Sequence, residues 1–351
     1  MIRVLVVDDS TVMQELLTFV LESDPEIQVV GVASNGDAAI HAVATLKPDV
    51  ITMDIHMPRM DGFDATRRIM ETMPTPIVIV TGSYNANDAF NSFRAIESGA
   101  LCLLHKPSGI GNPQHAENVR ELVSMVKLMS EVKTVRQLTR VSPNSELPNL
   151  NIREWRSGSR RMRCVVIGAS TGGPAVLQTI VSALPKNFPV PILVVQHMAT
   201  GFIDSFAVWF SKTSGFPCRV AHQGEELLPG TVYFGPDGHH MQLEERNKVF
   251  LSNDCLKKGL CPSVARLFRS TIRVFGGDAV GVLLTGMGID GAQELKLMRD
   301  CGAVTVAQNR ESCIVYGMPG EAVRLKAAEY VLDPAGIAAL LTRLAKLGNC
   351  E

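Results

Sequence analysis

The sequence predicts an α/β protein built from two doubly wound units, and three observations carry that reading. Short apolar runs alternate with stretches of helical spacing in both halves of the 351-residue chain. Most of these runs stop abruptly at polar or glycine-rich turns, as buried parallel strands do where a crossover begins. An irregular stretch rich in Pro, Ser, Asn and Gly separates the two halves.

In the first half, Val4–Val7 is an apolar run closed by Asp8 and Asp9, and Met13, Leu16, Leu17, Val20 and Leu21 then follow helical spacing. Further strand candidates are Val29–Val32, Val50–Met53, Ile77–Val80 and Leu101–Leu104. Helical patterns fall at Asp37–Leu46, Ala65–Met70, Asp88–Ser98 and Glu117–Val135. Five strands with intervening helices in the first 130 residues fit one doubly wound sheet.

Residues 136–163 break the pattern, and the linker is placed at 131–162. Glu131–Arg163 holds eight Lys/Arg against three Asp/Glu, which fits a solvated linker or a docking segment for an acidic partner. The second half, residues 163–351, has buried-strand runs at Cys164–Ile167, Ile192–Val195, Val280–Leu284 and Ala303–Ala307, and a closing helix at Ala335–Leu347. Alternation at Thr231–Phe234 and Val249–Leu251, with "PG" and "PDG" turns, predicts an antiparallel insertion in, or antiparallel edge on, a mostly parallel sheet.

Composition narrows the function. A net charge of −1 gives no field that favours nucleic acid or an anionic membrane. The uncharged stretch Cys164–Pro185 is broken by Ser170, Thr171, Gly172, Gly173 and Gln178, so it reads as a strand, turn and helix rather than a membrane span. The N-terminus lacks a signal-peptide layout, and a cytoplasmic location is expected. Eight cysteines at irregular spacings, with no Cys-x-x-Cys pair, predict reduced thiols rather than a disulfide frame.

Polar residues gather at the predicted strand ends of the first half. Asp8 and Asp9 follow the first strand, Asp54 the third, Thr81 the fourth and Lys106 the fifth. Carboxyl ends of parallel strands share one edge, where such folds place their sites. Three carboxylates there would repel unless a cation or proton intervened, and a hard divalent ion suits oxygen ligands. This constellation resembles the receiver domain of two-component response regulators, a flavodoxin-like fold, over residues 1–130. The resemblance implies phosphorylation of Asp54 by a histidine kinase. It also implies Mg²⁺ held by Asp8, Asp9, Asp54 and the His56 backbone, Thr81 and Lys106 as the phosphoryl-response pair, and a cis bond before Pro107. Leu103 stands where receivers often carry an aromatic switch residue.

The stretch Val165–Pro174, "VVIGASTGGP", admits a phosphate loop or a nucleophile turn. A dinucleotide loop needs a second glycine where Ser170 stands, and no Gly-Lys-Ser/Thr follows. A serine nucleophile needs a base and an orienting acid. His197 lies two residues past Ile192–Val195, and Asp290 lies beyond Val280–Leu284. The chain order Ser, His, Asp separates this arrangement from the α/β-hydrolases, whose order is Ser, acid, His. Gly172 and Gly173 open a helix whose N–H groups suit an oxyanion, and the Met287 N–H faces them from a second glycine-rich turn. His239 and His240 come without a His-Glu-x-x-His pattern or a carboxylate cluster, and read as a loop on the substrate rim.

"IGASTGGP", "FPVPILVVQHM", "GFIDSFA", "LLPGTVYFGPDGHH", "PSVARLF", "GVLLTGMGIDGA" and "SCIVYGMP" are similar to the chemotaxis response regulator protein-glutamate methylesterases, from about residue 163 to 345. The resemblance implies a Rossmann-like esterase domain with Ser170 as nucleophile, His197 as base and Asp290 as orienting acid, and with Thr171, Gly172 and Met287 lining the site. It implies hydrolysis of glutamyl γ-methyl esters on cytoplasmic chemoreceptor helices, deamidation of glutamines as a related activity, and no cofactor in the esterase site. It further implies a receiver that covers the cleft until Asp54 is phosphorylated. The competing expectation is a second domain that only binds a partner. Cys261 and the pair Asn309-Arg310 depart from the family pattern, which usually has a basic residue and an acidic pair there.

Overall fold

The computed structural model describes residues 1–82, 93, 96, 98–109, 111–112, 115–132, 161–245, 247–255 and 260–348. Most of the helical pattern at Asp88–Ser98 and nearly all of the segment 131–162 lie outside these residues. The chain divides into two compact units, Met1–Thr139 and Arg140–Glu351.

The first unit holds strands β1 (Ile2–Val7), β2 (Ile27–Ala33), β3 (Val50–Met53), β4 (Ile77–Thr81) and β5 (Cys102–His105). All pair in parallel in the order β2-β1-β3-β4-β5. Val4–Val7, Val50–Met53 and Ile77–Thr81 are buried on both faces, so these strands show continuous apolar runs rather than alternation. Each fully buried Val or Ile contributes about 1.5–3 kcal/mol relative to exposure. Helices α1 (Thr11–Glu22), α2 (Gly36–Leu46), α3 (Gly62–Thr72) and α4 (His115–Ser130) flank the sheet. Asn35 and Asp61 cap α2 and α3 by accepting from Ala38 N at 3.0 Å and Asp64 N at 2.9 Å. The strand order reverses beside β1, so the ends of β1 and β3 open onto a crevice.

The second unit holds β6 (Cys164–Ala169), β7 (Ile192–Gln196), β8 (Cys218–Val220), β9 (Val232–Phe234), β12 (Ala279–Leu283), β13 (Val304–Gln308) and β14 (Tyr330–Leu332) in one sheet, ordered β14-β13-β12-β6-β7-β9-β8. Every pairing in it is parallel. The antiparallel component is therefore not an edge of this sheet. It is a separate ribbon of β10 (His240–Glu244) and β11 (Lys248–Ser252). Val232–Phe234 is buried throughout, so its alternation does not mark a solvated face. Phe234 instead packs edge-on against Phe206 at 5.0 Å between centroids. The ribbon docks through Leu243 N, which donates to the buried Ser270 Oγ at 2.9 Å.

Helices α5 (Gly173–Ser182), α6 (Ile203–Ser214), α7 (Val264–Phe275), α8 (Ala292–Asp300), α9 (Met318–Arg324) and α10 (Pro334–Gly348) complete the unit. β6 is central, with β7 on one side and β12 on the other, and the winding direction reverses there. No helix among the described residues is long and apolar enough to cross a membrane.

One further expectation fails, and the reading of reduced thiols holds only in part. The cis peptide among the described residues is Cys261–Pro262, not the bond before Pro107. Cys255 and Cys261 are disulfide-bonded with Cα atoms 5.8 Å apart, because the end of the ribbon and the start of α7 converge across six residues of chain. Cys102, Cys164, Cys218, Cys301 and Cys313 are free.

Candidate functional sites at two sheet edges

In the first unit the crevice brings together most of the residues expected there. Asp8 and Asp54 are buried and Asp9 is exposed, and carboxylate oxygens of all three lie within 4.8 Å of one another. Lys106, one residue past β5, places Nζ 2.7 Å from Asp8 Oδ2 and 3.0 Å from Asp54 Oδ2. Its backbone N–H donates to Thr81 O at 2.9 Å, which ties the buried Thr81 to the lysine. Burial pushes the Asp54 carboxyl above its ordinary value; Lys106 opposes this and the Asp8 charge adds to it. Burial alone would lower the Lys106 pKa, but the two carboxylates hold it above the ordinary value. Leu103 packs against the core of this unit, and the His56 side chain is exposed.

The loop after β3 depends on one glycine. A Cβ at Gly62 would lie 2.1 Å from Asp54 O, and Gly62 N donates to Ile55 O at 2.9 Å. Gly62→Ala is therefore expected to destabilise the first unit by about 1–3 kcal/mol through overpacking against rigid backbone. Denaturant titration of the full chain checks this, and an unchanged transition would contradict it.

In the second unit Ser170 follows β6 directly. Its N–H donates to Thr285 O at 3.0 Å, and its carbonyl accepts from Gly173 N at 2.8 Å and from Gln196 Nε2 at 2.8 Å. Gly172 takes φ +78°, and a Cβ there would lie 2.7 Å from Ile314 Cδ1, so only glycine permits this turn into α5. A Cβ at Gly286 would lie 2.6 Å from Ser170 Cβ, so the turn after β12 packs directly on the serine.

His197 follows β7, and its N–H donates to Ala169 O at 2.9 Å. Its ring Nε2 lies 3.1 Å from Asp290 Oδ2, with both side chains about nine-tenths buried. A carboxylate only accepts, so His197 Nε2–H is the donor of this bond, and in the neutral imidazole the acceptor nitrogen is then Nδ1. Among the described residues no hydrogen bond joins Ser170 Oγ to His197. The structure thus brings His197 and Asp290 into contact and places Ser170 on the neighbouring strand end. Such bonds are often formed only with substrate present.

Asp290 is held from a direction that the sequence pattern does not reveal. Its Oδ1 accepts from Ser263 Oγ at 3.0 Å and Ala265 N at 3.1 Å, and its Oδ2 accepts from Val264 N at 2.7 Å. These groups form the N-terminus of α7, so the carboxylate caps that helix from another loop. Burial raises the Asp290 pKa, but the His197 hydrogen bond and charge and the two backbone N–H groups outweigh it, and the net shift is downward.

Two further residues brace the turn. Thr285 Oγ1 lies 3.0 Å from Thr171 O and 3.2 Å from Val315 O, and accepts from Val315 N. Thr285 N donates to Gln308 Oε1 at 2.8 Å, and Gln308 Nε2 donates to Ser312 O. Both side chains are fully buried. Their signal in the sequence is only a polar residue at the end of an apolar run. Met287 is half exposed on the same turn. Asn309 caps the short helix Arg310–Ser312, and the Arg310 guanidinium lies 5.5 Å from the Tyr316 ring centroid, so this departure from the family pattern is absorbed locally. His240 opens β10 and is buried rather than standing in a loop, whereas His239 is exposed.

Comparison with known proteins gives a family for each unit. A family model described as CheB methylesterase matches residues 165–341, and one described as response regulator receiver domain matches residues 4–116. The protein-glutamate methylesterase/protein-glutamine glutaminase 1 of Syntrophus aciditrophicus is 52% identical over 98% of this chain and 99% of its own length. The corresponding protein 4 of Geobacter metallireducens is 50% identical, with the same coverage of each chain. The crystal structure of the Thermotoga maritima CheB methylesterase catalytic domain is 38% identical, with a TM-score of 0.50, and the match covers 52% of this chain and 98% of that one.

Proposed function

This chain belongs to the CheB methylesterase family and carries a response regulator receiver domain, and on that premise we propose that it hydrolyses glutamate γ-methyl esters on chemoreceptors under the control of phosphorylation. The observation that carries the reading is the His197–Asp290 hydrogen bond at the same sheet edge as Ser170. The receiver spans residues 1–130, a linker 131–162 and the esterase 163–351.

Ser170 Oγ attacks the ester carbonyl while His197 Nδ1 takes its proton. Asp290 holds the imidazole in that tautomer and stabilises the imidazolium. The N–H groups of Thr171, Gly172 and Met287 are the donors for the tetrahedral oxyanion, and losing one such donor typically costs ~10²–10³ in rate. His197 returns the proton to the departing methoxide, so methanol leaves and Ser170 is acylated. Water, deprotonated by His197, then releases the glutamate carboxylate. A glutamine amide would follow the same course with ammonia as leaving group.

In the receiver, Asp54 accepts the phosphoryl group from a histidine kinase, and Lys106 and Thr81 hold its oxygens. The clustered oxygen donors fit a hard divalent cation, and Asp8, Asp9, Asp54 and the His56 carbonyl would hold Mg²⁺. Bound there, the ion neutralises phosphoryl charge. The protein acts in the cytoplasm, where kinase and receptor helices are both present.

The test is methanol release from methylated receptor with and without a small phosphodonor. Stimulation of about 5–150-fold, a coupling of about 1–3 kcal/mol, is expected in the unaltered chain. Asp54→Asn should keep the basal rate and lose the stimulation. Equal stimulation in that variant would refute control through Asp54.

A further inference from the structure

One cluster outside both sites is also built for chemistry. His240, Cys255 and Cys261 each offer one ligand atom, and these atoms lie within 4.8 Å of one another. His240 is 5% exposed, and its Nδ1 is buried without a hydrogen-bond partner. Such unpaired polar atoms are rare in native interiors. The two cysteines are half-buried, and their sulfurs are joined in this structure.

We propose that the reduced form of this cluster is a metal site of the zinc class, with His240 Nδ1 and the Cys255 and Cys261 thiolates as ligands. One imidazole and two thiolates are a borderline-soft donor set that suits Zn²⁺ and is poor for Mg²⁺ or Ca²⁺. Binding exchanges two thiol protons, released to solvent, for one divalent cation. Three protein ligands leave a fourth position for water or a carboxylate. The disulfide is the competing oxidised state: a dithiol or phosphine reductant supplies the two electrons that open it to two thiols, and a two-electron thiol oxidant restores it. The site joins the start of β10 to the loop entering α7. Cys261 lies two residues before Ser263, whose hydroxyl holds Asp290. Metal or disulfide would therefore clamp the loop that carries the support of Asp290.

The experiment titrates the full-length chain with Co²⁺ and Zn²⁺ against a chromophoric chelator, after reduction by a phosphine and again after oxidation by diamide. Binding of one equivalent by the reduced chain is expected, with thiolate-to-cobalt charge-transfer absorption, and the oxidised chain should lose it. Cys255→Ser and Cys261→Ser should each weaken binding by more than ~100-fold, since even groups outside the ligand set are worth ~10–100-fold. His240→Gln should weaken it while leaving both thiols titratable, which separates loss of a ligand from unfolding. A reduced chain that binds no more tightly than the Cys255→Ser variant overturns the proposal. So does a chain in which reduction exposes no additional pair of thiols.

Discussion

Ser170→Ala is expected to lower methanol release from methylated receptor by on the order of 10⁶, the loss seen when a serine nucleophile is removed from an intact triad. That corresponds to about 8 kcal/mol of transition-state stabilisation. The change deletes only Oγ, while the bonds from Ser170 N to Thr285 O and from Gln196 Nε2 to Ser170 O involve backbone atoms of the serine. Fold stability should therefore stay within about 0.5 kcal/mol, and phosphorylation of Asp54 should be unaffected. Full esterase activity in this variant would defeat the nucleophile assignment and leave the second unit as a binding module.

Asp290→Asn should lower the rate by about 10⁴, because an amide no longer fixes the imidazole in the tautomer that leaves Nδ1 free. It should also destabilise the second unit by about 1–3 kcal/mol, since the carboxylate accepts from Ser263, Val264, Ala265 and His197 at once. The two effects separate with pH. The folded state holds the Asp290 carboxyl below its ordinary value of 3.8. Its contribution to stability is thus fully present above that value and lost as pH falls through the lower, folded one. The stability gap between the two chains should narrow in acid, which denaturant titration at several pH values measures. A gap that widened in acid would contradict the assigned charge state.

The elements that matter most for the sites were legible because their physics is local. β1, β3, β4, β6, β7 and β12 are buried over most of their length on both faces, so their apolar runs stand out, and most end where a polar or glycine-rich turn begins. β8 and β14 are three residues long and carry no period that could be read. Helix α7 does carry one: Val264, Leu267, Phe268, Thr271 and Phe275 form a buried stripe between Arg266, Arg269 and Arg273. Whether the antiparallel segment is an insertion or a sheet edge stayed open in the sequence, because alternation reports one covered face without saying what covers it. The cysteines were read as free because pairing across a loop leaves no mark in their spacing.

By itself, then, the sequence determined two doubly wound units, the strand ends that carry Asp8, Asp54, Lys106, Ser170 and His197, and the family that the chain resembles. All of these follow from burial patterns and residue types within a few positions of one another. Only the tertiary structure decided that Asp290 is anchored on the N-terminus of α7, that Thr285 and Gln308 brace the turn that carries Ser170, and that His240 meets Cys255 and Cys261. Those contacts join groups up to 114 residues apart. Hydrogen bonds and thiol chemistry act over about 3 Å, and which groups come that close is settled by the packing of whole elements, not by any local stretch of chain.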